Sequence, residues 1–202
     1  MTTTNEALKD TKLSAEESLT LISQMITEAR GKLQQKGGSI FLIWGYTSLV
    51  VSLLIYFLIQ QFGNENIPWL WFLIPIIGTP CTIFHLRKTK SSLKTLIDKI
   101  IAYIWITVGA VTFAVPILAF FVHSIPILFV EGLILNIGII LSGAVLSFRA
   151  FIFGGILGIL LSFSFCFVGG LDQILIFALM FIVTQIIPGH ILNYKNKRCL
   201  KN

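Results

Sequence analysis

Long apolar runs fill most of this chain after residue 38, and short polar segments separate them. Each run is roughly 17 to 23 residues long, and a helix needs about 20 residues to cross a ~30 Å hydrocarbon core. The chain is 55% hydrophobic and only 12% charged, which excludes an ordinary soluble domain. We therefore expect an all-α, polytopic membrane protein.

Six transmembrane helices are predicted, and they pair into three hairpins. Their approximate bounds are 39–59, 67–85, 100–121, 125–146, 151–168 and 171–187. The membrane domain then covers residues 39–192, between a polar leader with an amphipathic helix at 1–38 and a basic tail at 193–202. The spans that run outward begin with similar residues, which leaves open whether the three hairpins are a true repeat.

All basic residues lie on one side of this predicted arrangement. Five of them precede the first span, five lie between Leu86 and Lys99, one is Arg149, and four are in the tail, which accounts for all 15. Loops rich in Lys and Arg stay in the cytoplasm, so we expect both termini there (N-in/C-in). Orientation and anionic lipid also explain the net charge of +6 without a nucleic acid partner.

The segment before the first span predicts a cytosolic amphipathic helix. Ser14 and Glu17 have the spacing of a capping box at its start. Apolar residues then recur at alternating spacings of four and three, which places them on one helix face. They are Ala15, Leu19, Ile22, Ile26, Ala29 and Leu33. Gly37 and Gly38 are expected to end this helix and to form a flexible joint.

The apolar face of this helix needs a cover. We expect Leu19, Ile22, Ile26, Ala29 and Leu33 to bind a protein partner, a second copy of the chain, or the inner lipid surface.

Glu131 is the sharpest polar signal within the predicted spans. It lies about six residues, or roughly 9 Å, from the outer end of the fourth span, and ionisable groups at such depth often mark a pathway or a partner. One interpretation is a proton- or cation-handling site. The other is an acid that reaches water or stays neutral inside the bundle. Because no Lys or Arg lies in the outer half, we expect Glu131 to be protonated at neutral pH.

Asn136 and Gln185 are the other candidates for a polar pathway. Helix packing is the competing explanation for Asn136, and hydrogen bonding across helices, which is also expected of Gln173 and Thr184, is the competing explanation for Gln185. Two stripes of small and polar residues on the fourth span predict helix neighbours on two sides. The stripes are Glu131, Gly138 and Ser142, and Gly132, Asn136 and Gly143.

The fifth span carries a small residue at every fourth position. Gly154, Gly158 and Ser162 allow another helix to approach closely, and we interpret them as packing sites within the bundle in preference to a dimer contact.

No motif for catalysis or metal binding is present in the sequence. There is no Ser/His/Asp set, no His-Glu-x-x-His and no phosphate-binding glycine loop. Cys81, Cys166 and Cys199 form no Cys-x-x-Cys pair, and His85 and His190 fall at the inner ends of spans. We expect no enzymatic activity, no cofactor and no metal.

Two segments of the N-terminal region are similar to a known protein family. The segment 13–29 (LSAEESLTLISQMITEA), followed by FLIWGY at 41–46, resembles an uncharacterised family of small multi-span bacterial integral membrane proteins with no assigned activity. The resemblance covers roughly the first 60 residues and the remainder only as hydropathy. It implies a bacterial plasma membrane and supplies no catalytic residues.

Two classes of function remain open at this point. The chain is either a membrane anchor or a regulatory or sensor subunit that acts through its N-terminal helix, or it is a small permease or channel component. The second class would use Glu131 and Asn136 of the fourth span.

Overall fold

A computed structural model describes residues 15–63, 67–88, 96–122 and 125–199, and these are almost entirely helical. The predicted polar leader, its capping Ser14 and the last residues of the tail lie outside them. The α-helices are α1 (Ala15–Phe62), α2 (Leu73–Lys88), α3 (Leu96–Phe121), α4 (Ile127–Val145), α5 (Arg149–Phe163), α6 (Asp172–Phe181) and α7 (Ile187–Cys199). Shorter segments are 3₁₀ turns at Ile67–Phe72 and Ser164–Cys166 and a π-helical turn at Ile182–Ile186.

Six helical stretches are long and apolar enough to cross a membrane, which confirms the predicted number. They are Gly37–Phe62, Trp69–Lys88, Leu96–Ala119, Ile127–Val145, Arg149–Cys166 and Asp172–Lys195. The last of them is formed by α6, the π turn and α7 together. In the most apolar 18 residues of this last stretch, 56% of the residues are buried, against 6% in the second and third stretches. The last stretch therefore lies at the centre of the bundle, and α2 and α3 lie outside it.

Two apolar clusters mark the two ends of the bundle. At one end Phe41 of α1 packs on Phe151 of α5, with ring centroids 4.1 Å apart, and Leu192 of α7 joins them. We call this the basic end, because Arg149, two residues before Phe151, begins α5 there. At the opposite end Ile55 of α1 packs with Ile67 and Ile174.

The amphipathic helix and the first span are one helix of 48 residues, so the expected joint at Gly37 and Gly38 is wrong. Gly38 serves packing instead. It is buried, and a Cβ at this position would collide with the Asn193 side chain of α7 and lie 3.2 Å from the Gly189 carbonyl oxygen. Glycine in a helix costs about 1 kcal/mol relative to alanine, and this close contact with α7 offsets that loss.

The last span continues past Pro188, so its predicted end at residue 187 is too early. Proline lacks an N–H group, and its ring clashes with the carbonyl four residues earlier, here that of Thr184. The π turn widens the helix at this point, and the Ile187 N–H donates to the Ile182 carbonyl oxygen. The helix therefore passes the proline without ending.

Candidate functional site

Glu131 is enclosed between α4 and α3, with only 6% of the residue exposed. Thr112 of α3 lies beside it. Among the described residues, no group has the geometry of a hydrogen bond to either carboxyl oxygen, and the Thr112 hydroxyl also lacks a partner there. The interpretation that Glu131 reaches surface water therefore finds no support in the structure.

The same face of α4 packs on α3 from Glu131 to Ser142. A Cβ at Gly138 would lie 2.9 Å from a methyl group of Val108. One turn further, the Trp105 indole N–H donates to the Ser142 hydroxyl over 3.1 Å. Glu131 thus lies at one end of a close helix–helix contact.

Asn136 lies on the other face of α4 and is fully buried. Its amide nitrogen donates to the Gly132 carbonyl oxygen over 2.7 Å and lies 3.0 Å from the sulfur of Met180. Its side-chain oxygen has no hydrogen-bond partner. α4 therefore has helix neighbours on two sides, as its two polar stripes predict.

Gly158 of α5 is the point at which α4 and the last span meet. A Cβ at this position would collide with the Asn136 side-chain oxygen and lie 2.6 Å from the methyl group of Thr184. Thr184 is fully buried in the π turn, and its hydroxyl also lacks a partner.

Gln185 is buried as well, but it belongs to a different interface. It faces α1, where a Cβ at Gly45 would lie 3.1 Å from the Cβ of Gln185. Its side-chain oxygen has no partner. The structure thus brings Asn136 together with Thr184. Glu131 lies in a separate interface with α3, and Gln185 lies in another with α1.

Thr184 was expected from the sequence to bond across helices, whereas the π turn that carries it was not expected. Turns of this kind occur frequently at functional sites. Pro188, four residues beyond Thr184, is the signal in the sequence that the helix must open there.

The small residues of α5 all face neighbours within the same chain. A Cβ at Gly154 would lie 3.2 Å from the Val183 carbonyl oxygen and 3.3 Å from the Pro188 ring. The Ser162 hydroxyl donates to the Gly158 carbonyl oxygen over 2.8 Å and contacts the Met180 sulfur at 3.7 Å. This stripe is occupied by contacts inside the bundle.

The N-terminal part of α1 presents its apolar residues to solvent. Leu19 is 67% exposed, Ile22 52% and Ile26 43%. The side chains of Ala29 and Leu33 lie outside what the structure describes, although the helix itself runs through both positions. No element of the described bundle covers Leu19, Ile22 or Ile26.

Among the residues that the structure describes, no three His, Cys, Asp or Glu side chains lie close enough to hold a metal ion. The ring of His190 shares a hydrogen bond of 2.8 Å with the Tyr46 hydroxyl, which ties α7 to α1. Cys81 and Cys166 are free thiols.

Comparison with known proteins gives no relative from which a function could be inferred. The chain matches no protein-family model, no curated protein and no solved structure. The resemblance of its N-terminal segment to a bacterial family stays a prediction.

Proposed function

We propose that this chain is a multi-pass protein of the bacterial plasma membrane with both termini in the cytoplasm. In this proposal it serves as a membrane anchor and regulatory or sensor subunit that acts through the N-terminal part of α1. The six apolar helices support a location in a membrane. The orientation is supported by the sequence, because every Lys and Arg lies in the segments assigned to one side.

The observation that carries this proposal is the exposed apolar face of α1 outside the bundle. We call residues 15–36 the extension, which is about 33 Å long at 1.5 Å per residue. Burying a Leu or Ile side chain is worth about 1.5–3 kcal/mol. Covering Leu19, Ile22 and Ile26 with a partner would therefore stabilise a complex by several kcal/mol.

A partner on the extension could also act on the membrane domain. α1 is one helix from Ala15 to Phe62, so a partner that turns or pulls the extension would also move the first span. That span packs against the last one, where Gly45 contacts Ile186 of the π turn. This connection is what a regulatory or sensor subunit requires.

The test uses charges placed on the two faces of the extension. Ile22→Glu with Ile26→Glu should expose residues 15–36 to protease in intact inverted vesicles, because a charged face no longer docks. Gln24→Glu with Thr27→Glu, on exposed polar positions of the same helix, is the control and should leave the protease pattern unchanged. Equal cleavage of the wild type and of both variants would show that nothing covers the apolar face.

A small permease or channel component is the second candidate function. It is favoured by the unpartnered oxygens of Asn136 and Thr184 deep in the bundle, together with Glu131 further along α4. In proteoliposomes, a proton or sodium gradient should then drive flux reported by a pH-sensitive or sodium-sensitive dye. Glu131→Gln should abolish the pH dependence of that flux without loss of expression. A wild-type chain that carries no flux of either ion would remove this candidate.

A further inference from the structure

The apolar residues of the extension follow a heptad repeat over three heptads. Its a positions are Leu19, Ile26 and Leu33, and its d positions are Ala15, Ile22 and Ala29. A repeat of 3.5 residues is the pattern of helices that wind around each other in a left-handed supercoil. The next d position is Lys36, which interrupts the apolar seam close to the start of the span.

The chain's own bundle packs on a different side of α1. The buried residues of the span recur at spacings of three and four, which are the b and f positions of the same heptad count. They are Gly38, Phe41, Gly45, Ser48, Ser52 and Ile55, with Val51 beside them. In the extension the b and f positions are polar or glycine: Glu17, Thr20, Gln24, Thr27, Gly31 and Gln34. In a supercoil the a and d residues therefore face away from the bundle.

We propose that a second copy of this chain covers the extension, and that two extensions form a parallel coiled coil. This inference rests on the proposed role of the extension as a docking element, and it names the partner.

The continuity of α1 sets the direction of the two helices. Because α1 is uninterrupted, the extension continues the axis of the span out of the membrane and does not lie in the membrane plane. Every inserted copy has the same orientation, so two copies present identical extensions side by side, parallel and at the same height. A parallel coiled coil needs this arrangement.

The flanking positions are compatible with such a pair. Residues at g face the following e residues of the partner helix in a parallel coil. Here this places Ser18 opposite Ser23 and Met25 opposite Arg30, so no like charges meet at these g and e positions. Alanine at two of the three d positions lets the backbones approach closely.

Beyond Lys36, apolar residues occupy a and d positions again within the span. Val50, Leu54 and Phe57 lie four heptads beyond Ile22, Ile26 and Ala29. They are 61%, 42% and 61% exposed, on the side of the span that the bundle leaves open. A coil that starts in the extension can therefore extend along α1, and two membrane-anchored helices lose less entropy on pairing than free peptides do.

The experiment is disulfide cross-linking in native membranes. In a variant with Cys81, Cys166 and Cys199 replaced by serine, single cysteines are placed at seam positions by Ile22→Cys, Ile26→Cys or Leu54→Cys. Gln24→Cys and Thr27→Cys are the controls on the f and b positions. Mild oxidation should yield a product of twice the chain mass for the seam cysteines, at least about fivefold more than for the controls, because only a and d residues face the partner helix.

Other results would overturn the inference in distinguishable ways. Equal cross-linking at all positions would indicate random collision and contradict a defined seam. Seam cysteines that do not cross-link but are shielded from a soluble maleimide would show that a different partner covers the extension. The inference of a second copy would then be wrong, and the proposed docking function would still hold. Seam cysteines that do not cross-link and react freely with maleimide would contradict both proposals.

The wild-type chain provides a second measurement that needs no substitution in the seam. The chain carries a C-terminal fluorescent tag and is reconstituted at low density in lipid. The fluorescence of each single particle should then bleach in two steps, one for each copy of the chain. Single-step bleaching would overturn the inference.

Discussion

At the scale of single residues, Glu131 is a buried acid whose carboxyl oxygens have no hydrogen-bond partner among the described residues. It lies beside Thr112, and the segments assigned to the outer side from the sequence contain no Lys or Arg. An ionised carboxyl in such a place would lack both water and a cation, which is far less favourable than a neutral acid. A neutral acid also has a proton that it can donate to an acceptor such as the neighbouring Thr112 hydroxyl.

We expect Glu131→Gln to insert and fold almost normally, within about 1 kcal/mol of the wild type, because the amide copies the shape of a neutral acid. Glu131→Lys is the matched comparison and should lose about 3–5 kcal/mol, since it buries an unpaired charge. Thermal unfolding in detergent measures both. An infrared band of an ionised carboxylate that disappears in the Gln variant would contradict the neutral acid.

At the scale of elements, contacts between helices are set by glycines that leave no room for a side chain. Gly158 lies where Asn136 of α4 and Thr184 of the π turn converge on α5. Both partners are fully buried and cannot move aside easily. Gly109 of α3 is the opposite case, since nothing lies within 4 Å of a Cβ built there.

Gly158→Ala should therefore destabilise the protein by about 1–3 kcal/mol, the usual range for an extra methyl group in a packed core. Gly109→Ala should leave stability unchanged or raise it by up to about 1 kcal/mol, because alanine favours a helix and meets no obstacle. Thermal unfolding of the two variants in the same detergent is the measurement. If both alanines had the same effect, the close approach at Gly158 would not be real.

At the scale of the whole molecule, the charge distribution is the strongest evidence for orientation. The segments assigned to the outer side contain no Lys or Arg, and those assigned to the inner side contain all 15. Moving Lys and Arg across the bilayer is strongly disfavoured during insertion. The expected result is six spans with both termini inside.

Single cysteines in the cysteine-free variant test this orientation in intact cells. Cysteines at positions 64 and 124 should react with a membrane-impermeant maleimide from outside, and one at position 91 should react only after the cells are opened. Labelling of position 91 from outside would overturn the orientation. It would also place the extension on the opposite side of the membrane.

The sequence by itself determined the features that depend on local composition and period. Six apolar stretches follow from the length of each run, because lipid admits only segments of that length and hydrophobicity. The two-sided packing of α4 follows from stripes such as Glu131 with Ser142, since residues a whole number of turns apart share one face. The exposed stripe of Leu19, Ile22 and Ile26 follows in the same way.

Only the tertiary structure decided what happens at the helix breakers and in the core. Gly37 and Gly38 predict a helix end from their own preferences, yet contact with α7 at Asn193 keeps α1 continuous. Pro188 likewise does not end the last span, because the π turn opens the backbone around it. The meeting of Asn136 and Thr184 at Gly158 joins residues far apart in the chain. Such contacts depend on how whole helices pack, and no local pattern of residues contains that information.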